Sequence, residues 1–151
     1  MLAHIQRVKE AKVVVNGETV SEIKAGLLVL LGVVVGDEPH DADYLVDKIV
    51  NLRVFSNGDK EFDLSVKDIG GEILIVSQFT LHADCRKGRR PSFSDAMNPV
   101  EAEKLYEYAA DVVQPEAGSN HEGNDASGEQ QLRNQWNIER HQQQHLKAHA
   151  R

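Results

Sequence analysis

Hydrophobic and polar positions change period several times along the chain, and each change predicts an element. Residues 2–8 alternate loosely. Ala11-Lys12-Val13-Val14-Val15 is a β-branched run that ends at Asn16-Gly17, the pair favoured in type I′ turns, so residues 11–15 and 19–23 are expected to form a hairpin. Residues 27–35 are apolar without polar alternation, which predicts a central strand covered on both faces. Asp37-Glu38-Pro39 then supplies a cap, an early acid and a first-turn proline. Ala42, Leu45, Val46, Ile49 and Val50 follow at the i, i+3, i+4, i+7, i+8 spacing of a one-sided helix. A short strand over 52–55, a turn over 56–59 and a half-buried strand through Phe62, Leu64 and Val66 come next. Asn98-Pro99-Val100-Glu101 reads as a capping residue, a first-position proline and a capping-box acid, with Ala102, Leu105, Ala109 and Val112 as the buried face of a second helix.

This order, with strands around an early and a late amphipathic helix, predicts an α+β fold with a largely antiparallel, barrel-like sheet. The pattern ends near Gln114. From there the chain is rich in Gly, Asn, Gln, Glu, Ser and His, too polar to offset the entropy of ordering. The organisation expected is therefore a folded domain over 1–113 and a polar, disordered or loosely helical tail over 114–151. In that tail Leu132 and Trp136 lie one helical turn apart, and His141, His145 and His149 repeat at i, i+4, i+8. No cysteine or carboxylate completes a ligand set around those imidazoles, so no metal and no cofactor is expected.

The most informative stretch is Ile73-Leu74-Ile75-Val76-Ser77-Gln78-Phe79-Thr80-Leu81. Four apolar residues form a buried strand and then give way to a hydroxyl, an amide, an aromatic ring and a second hydroxyl. Buried polar groups need partners. Either this is a strand end whose polar side chains satisfy nearby backbone, or it is a strand emerging at the floor of a pocket beside one aromatic wall. Cys85-Arg86-Lys87-Gly88-Arg89-Arg90-Pro91-Ser92-Phe93-Ser94 follows, with four cations in five residues. It is either a solvated loop or a loop that meets phosphates.

Charge narrows this choice. With 17 Lys and Arg against 24 Asp and Glu, the net charge of −7 argues against broad nucleic-acid binding and confines any RNA contact to Arg86, Lys87, Arg89 and Arg90. The single cysteine excludes an intrachain disulfide and fits a reducing compartment. No secretory leader pattern opens the sequence, and its longest apolar run falls short of the roughly 20 residues of a membrane helix. A soluble, cytoplasmic protein is the expectation. No motif places a histidine as base for Cys85, no HExxH or CxxC spacing occurs, and the 24 scattered acids define no catalytic pair. What remains is a site of hydroxyls, an amide, backbone N–H groups and an aromatic wall, suited to positioning and oxyanion stabilisation.

Ser77-Gln78-Phe79-Thr80-Leu81, followed by Arg90-Pro91-Ser92-Phe93-Ser94, resembles the D-aminoacyl-tRNA deacylases. Ile5-Gln6-Arg7-Val8 and Gly26-Leu27-Leu28-Val29-Leu30-Leu31-Gly32-Val33 are similar to the same family's N-terminal strands, and the likeness runs in order to about Val113. The resemblance implies a homodimer with sites at the subunit interface that hydrolyses the ester joining a D-amino acid to the 3′-terminal adenosine of tRNA, aided by a ribose 2′-hydroxyl of the substrate. It implies that Ser77, Gln78, Phe79 and Thr80 line the pocket, with Thr80 near the ester and Phe79 shaping the aminoacyl or adenosine cavity. Arg7 would brace the site from the first strand, and Arg90, Pro91, Ser92 and Phe93 would flank it. The family excludes L-amino acids with a Gly-Pro dipeptide near its C-terminus, and this sequence contains no Gly-Pro. A second class therefore stands beside the first: a catalytically inactive protein of the same fold that binds tRNA or a protein partner.

Overall fold

The computed structural model describes residues 1–86 and 88–116, of which 114–116 are described by backbone alone. Lys87 and the tail from residue 117 onward, with Leu132, Trp136 and the aligned histidines, lie outside the described residues.

The described residues form seven strands and two α-helices: β1 (Leu2–Val8), β2 (Ala11–Val15), β3 (Glu18–Ile23), β4 (Gly26–Gly32), α1 (Pro39–Asn51), β5 (Phe55–Asn57), β6 (Lys60–Leu64), β7 (Glu72–Ser77) and α2 (Pro99–Glu116). A 3-10 turn, Phe79–His82, follows β7. The β2–β3 hairpin turns as its sequence dictates, with Asn16 at φ 51° and Gly17 at φ 86°, the two left-handed positions of a type I′ turn.

The main sheet has the order β1-β4-β7. β1 lies antiparallel to β4, from Leu2 opposite Gly32 to Val8 opposite Gly26. β7 lies parallel to β4, from Glu72 beside Gly26 to Ser77 beside Leu31. This is the one parallel pairing among the described strands; the two hairpins and β1–β4 are antiparallel. Its parallel direction follows from α1 and the β5–β6 hairpin, which carry the chain back before β7 starts.

Side chains of paired residues share a sheet face. Leu27, Val29, Leu31 and Ile75 lie on one face and are buried against Ala42, Val46, Ile49 and Val50 of α1 and Ala102, Leu105, Tyr106, Ala109 and Val113 of α2. On the opposite face Leu28 and Leu30 are half-buried, with Gln6 and His4 exposed beside them. β4 is thus central, but only its helix-side face is sealed. The reason is that both helices pack on the same side.

Several element ends differ from expectation. The cap of α1 is Glu38, whose N–H donates to the Asp41 carboxylate at 2.9 Å. Asp37 instead accepts the Val34 N–H at 2.7 Å and pairs with the Met1 ammonium at 2.5 Å. The strand expected over 52–55 begins at Phe55, because α1 runs to Asn51 and residues 52–54 are its exit. Its turn narrows to Gly58 and Asp59, between paired Asn57 and Lys60. Phe62 is exposed, and Val66 is fully buried only after β6 has ended. Asn98 caps α2 as expected, its Oδ1 accepting the Glu101 N–H at 3.2 Å. The helix continues to Glu116, past the compositional break at Gln114, and Val112 on it is half-buried.

Candidate functional site

The site region begins where β7 leaves the sheet. Up to Ile75 the strand is held from both sides: its main chain pairs with β4, and the buried Tyr106 hydroxyl of α2 donates to the Ile75 carbonyl at 2.8 Å. Ser77 is the last residue in register and is buried. The Gln78 N–H still donates to the Leu31 carbonyl at 2.8 Å, after which the backbone folds into the 3-10 turn. Leu81 N–H reaches the Gln78 carbonyl at 3.3 Å and Ala83 N–H the Thr80 carbonyl at 3.1 Å. The turn lifts Gln78, Phe79 and Thr80 out of the sheet to half-buried positions.

Within this shelf the Gln78 side-chain amide donates to the Thr80 hydroxyl. The Phe79 ring meets Phe93 with centroids 5.3 Å apart and planes tilted by 58°, an edge-weighted aromatic pair. The four motif residues are therefore contiguous, and Phe93, fourteen positions away in sequence, is brought onto them. Gln78, Phe79 and Thr80 are half-buried on the way into the turn, whereas Ser77 is buried at the last paired position of the strand.

Phe93 is carried by the return leg of the basic loop. Asp84 N–H donates to the Ser92 carbonyl at 2.8 Å and Ser92 N–H to the Asp84 carbonyl at 2.9 Å, closing residues 85–91 into a loop. Further along, Ala96 bridges to Val34 and Met97 N–H reaches the Val33 carbonyl at 3.1 Å, so the loop returns to the end of β4. Arg89, Arg90, Pro91 and Ser92 are exposed, and Phe93 is 37% exposed. Arg86 turns back onto Asp84: Nε to Oδ1 at 2.9 Å and Nη2 to Oδ2 at 3.0 Å. The Arg86 side chain, and next its N–H, hold the Asp84 carboxyl below its ordinary range, and Asp84 raises Arg86. A cleft of about 540 Å³ lined by Leu81, His82, Asp84, Cys85, Arg86 and Asp95 adjoins the shelf.

Arg7 is not part of this group in the chain. It stands opposite Leu27, level with Ile73 and four residues down the sheet from Ser77, about 13 Å at the usual strand rise. Its guanidinium donates to the Val54 carbonyl at 2.7 Å and covers the Phe62 ring at 5.6 Å, which ties β1 to the β5–β6 hairpin.

Two positions were missed by sequence reasoning. Asp84 closes and clamps the basic loop; its only signal was an acid two positions before a run of cations. His82 is half-buried, and its Nε2 is enclosed with no hydrogen-bond partner among the described residues. It sits over Gly32, where an added Cβ would come within 2.6 Å of Nε2. No sequence pattern announces that contact. Among the described residues no group of three or more His, Cys, Asp or Glu side chains is placed to hold a metal, and no helix is long and apolar enough to cross a membrane.

Comparison with known proteins places this geometry. A family model described as D-Tyr-tRNA(Tyr) deacylase matches residues 4–135, continuing beyond Val113 where the motif likeness ends. A protein from Thermosipho melanesiensis named D-aminoacyl-tRNA deacylase is 55% identical over 116 residues, 77% of this chain and 77% of its own. A solved structure named c-Myc DNA unwinding element binding protein superposes with a TM-score of 0.71 at 41% identity, covering 75% of this chain and 76% of that one. A second, described as a probable eukaryotic D-amino acid tRNA deacylase, shares the fold at a TM-score of 0.71 and 18% identity, over 82% of this chain and 72% of that one. The shelf at the end of β7 and the loop that closes over it lie inside the matched span, and the chain belongs to the D-Tyr-tRNA(Tyr) deacylase family.

Proposed function

We propose that this protein hydrolyses the ester bond of D-aminoacyl-tRNA, releasing the free D-amino acid and tRNA, and so removes wrong-handed residues before translation uses them. The observation that carries the reading is the family match, whose span includes both the Ser77 to Thr80 shelf and the basic loop. The chemistry of the reaction supports the reading. An aminoacyl ester on a ribose is already activated, so the barrier is lowered by holding it and by donating hydrogen bonds to the oxyanion that forms as water attacks.

In this reading Thr80 and Gln78, already joined by a hydrogen bond, present donors to the carbonyl oxygen. Ser77 anchors the shelf to β4. Phe79 and Phe93 give an aromatic wall for the terminal adenine or the amino-acid side chain. Arg89 and Arg90, with Pro91 and Ser92 shaping the loop, face the phosphates of the acceptor end, and Arg7 braces the first strand. A homodimer with the sites at its interface and a cytoplasmic location, where charged tRNA is consumed, belong to the same proposal.

The test is release of D-tyrosine and L-tyrosine from tRNA by the purified chain. Faster release of the D-ester is expected. Salt-sensitive tRNA binding without turnover of either ester at high enzyme concentration would refute the reading and favour an inactive binding protein.

A further inference from the structure

We infer that Asp84 is a positioning residue, which folds Arg86 back into the loop it starts and thereby fixes the loop that carries Phe93 onto the shelf. This rests on the deacylase reading for its kinetic consequence, though not for its structural one.

Asp84 makes five hydrogen bonds within one loop. Its main chain makes the two bonds with Ser92 that close residues 85–91. Its carboxylate takes three from Arg86: the N–H at 2.9 Å, Nε at 2.9 Å and Nη2 at 3.0 Å. Two of these form the parallel fork that gives Arg–carboxylate pairs their directionality. One cation is thereby neutralised inside the loop. Among the described residues Arg89 and Arg90 have no such partner, so the loop presents these two outward while Arg86 serves as a strut.

The strut leads to the site. Ser92, the residue locked to Asp84, precedes Phe93, and the Phe93 ring lies 5.3 Å from Phe79. Loosening the Asp84 end frees the leg on which Phe93 stands. A four-cation loop free to reorient would grip RNA without placing its 3′ end against the shelf, whereas a closed loop pairs binding with placement.

Charge and position predict opposite results, which makes the inference testable. Asp84→Asn removes a negative charge beside an RNA-binding loop and releases Arg86. If Asp84 acted only through its charge, substrate would bind more tightly. If it positions the loop, KM for D-tyrosyl-tRNA rises about threefold, the scale expected when a well-formed but exposed charge pair is lost, while kcat changes little. Arg86→Gln gives the same rise, the double variant adds nothing further, and Asp84→Glu restores part of the loss.

Limited trypsin digestion of the native protein reads the loop without reference to activity. Cleavage after Arg89, a site present in both variants, is expected to quicken about threefold in Asp84→Asn and in Arg86→Gln, with little change in the unfolding midpoint. If the wild type turns over no ester, the functional reading fails and digestion alone still decides the latch. A lower KM in Asp84→Asn, or digestion rates equal to wild type in both variants, overturns the inference.

Discussion

β7 has two ends built on opposite principles. Between Ile73 and Ile75 it lies between β4 and α2, with Ile73 and Ile75 packed in the helix-side core and the Ile75 carbonyl bonded to Tyr106. Two residues later the buried Ser77 ends the ladder, and Gln78, Phe79 and Thr80 follow half-buried at a single 3-10 turn, with the His82 Nε2 beside them lacking any partner among the described residues. The first end is over-determined and inert. The second leaves the ladder, with the Gln78 amide bonded to the Thr80 hydroxyl and both side chains half-buried. A site that works by positioning needs both, since donors must be fixed yet uncommitted until substrate arrives.

Substitutions around the two ends of this strand should therefore separate stability from activity. The largest stability effect belongs to the helix side: Ile49→Ala, at a position 1% exposed, should cost about 3 kcal/mol in urea unfolding. A cost below about 1 kcal/mol would mean that the helix layer does not brace the sheet as described.

Gly32→Ala tests the junction of the two regions. The new methyl would meet His82 Nε2 at 2.6 Å and the Gln78 carbonyl oxygen at 3.2 Å, so the ring must shift and the entry to the turn carrying Thr80 is crowded. About 1–2 kcal/mol of destabilisation is expected from the overpacking. A drop in kcat larger than that of Ile49→Ala, measured where both variants remain folded, would place the perturbation at the shelf.

Tyr106→Phe is milder. It removes the donor to the Ile75 carbonyl and should cost about 1–2 kcal/mol while leaving kcat nearly intact. A large kcat effect would mean that the inert end of the strand is less independent of the reactive end than the structure implies.

The smallest effect concerns pH. The Ser65 N–H and then its hydroxyl hold the Asp68 carboxyl below its ordinary range. A carboxyl whose pKa falls on folding contributes stability above its unfolded pKa, near 4, and loses it as pH drops through the folded value. Asp68→Asn should flatten the acid limb of the stability profile below about pH 4 and leave the activity profile near neutrality unchanged. An unaltered acid limb would count against this role.

The same contrast explains what the sequence disclosed. The β2–β3 hairpin, β4 and both helices were legible because a single physical signal governs each: Asn16-Gly17 for the turn, unbroken apolarity for β4, and 3.6-residue periodicity with Pro39 and Asn98 at the starts. The shelf was legible as chemistry, since Ser77 through Thr80 break an apolar strand with polar groups. The burial of β4 was misjudged because apolar runs do not say on how many sides helices will pack. The β5–β6 hairpin slipped in register because Phe62 looks like a core residue and instead lies under the Arg7 guanidinium at the surface. Arg7, Asp84 and His82 acquire their places through partners 47, 8 and 50 positions away, at Val54, Ser92 and Gly32, distances over which composition and period carry no information.

The central claim, that the turn after β7 is where the ester is cleaved, is tested most directly by single-turnover hydrolysis of D-tyrosyl-tRNA by Thr80→Ala beside wild type, with unfolding midpoints recorded in parallel. Loss of a donor to the developing oxyanion predicts a rate lower by about a hundredfold at an unfolding midpoint close to that of wild type. A Thr80→Ala protein that cleaves the ester at the wild-type rate would contradict the account.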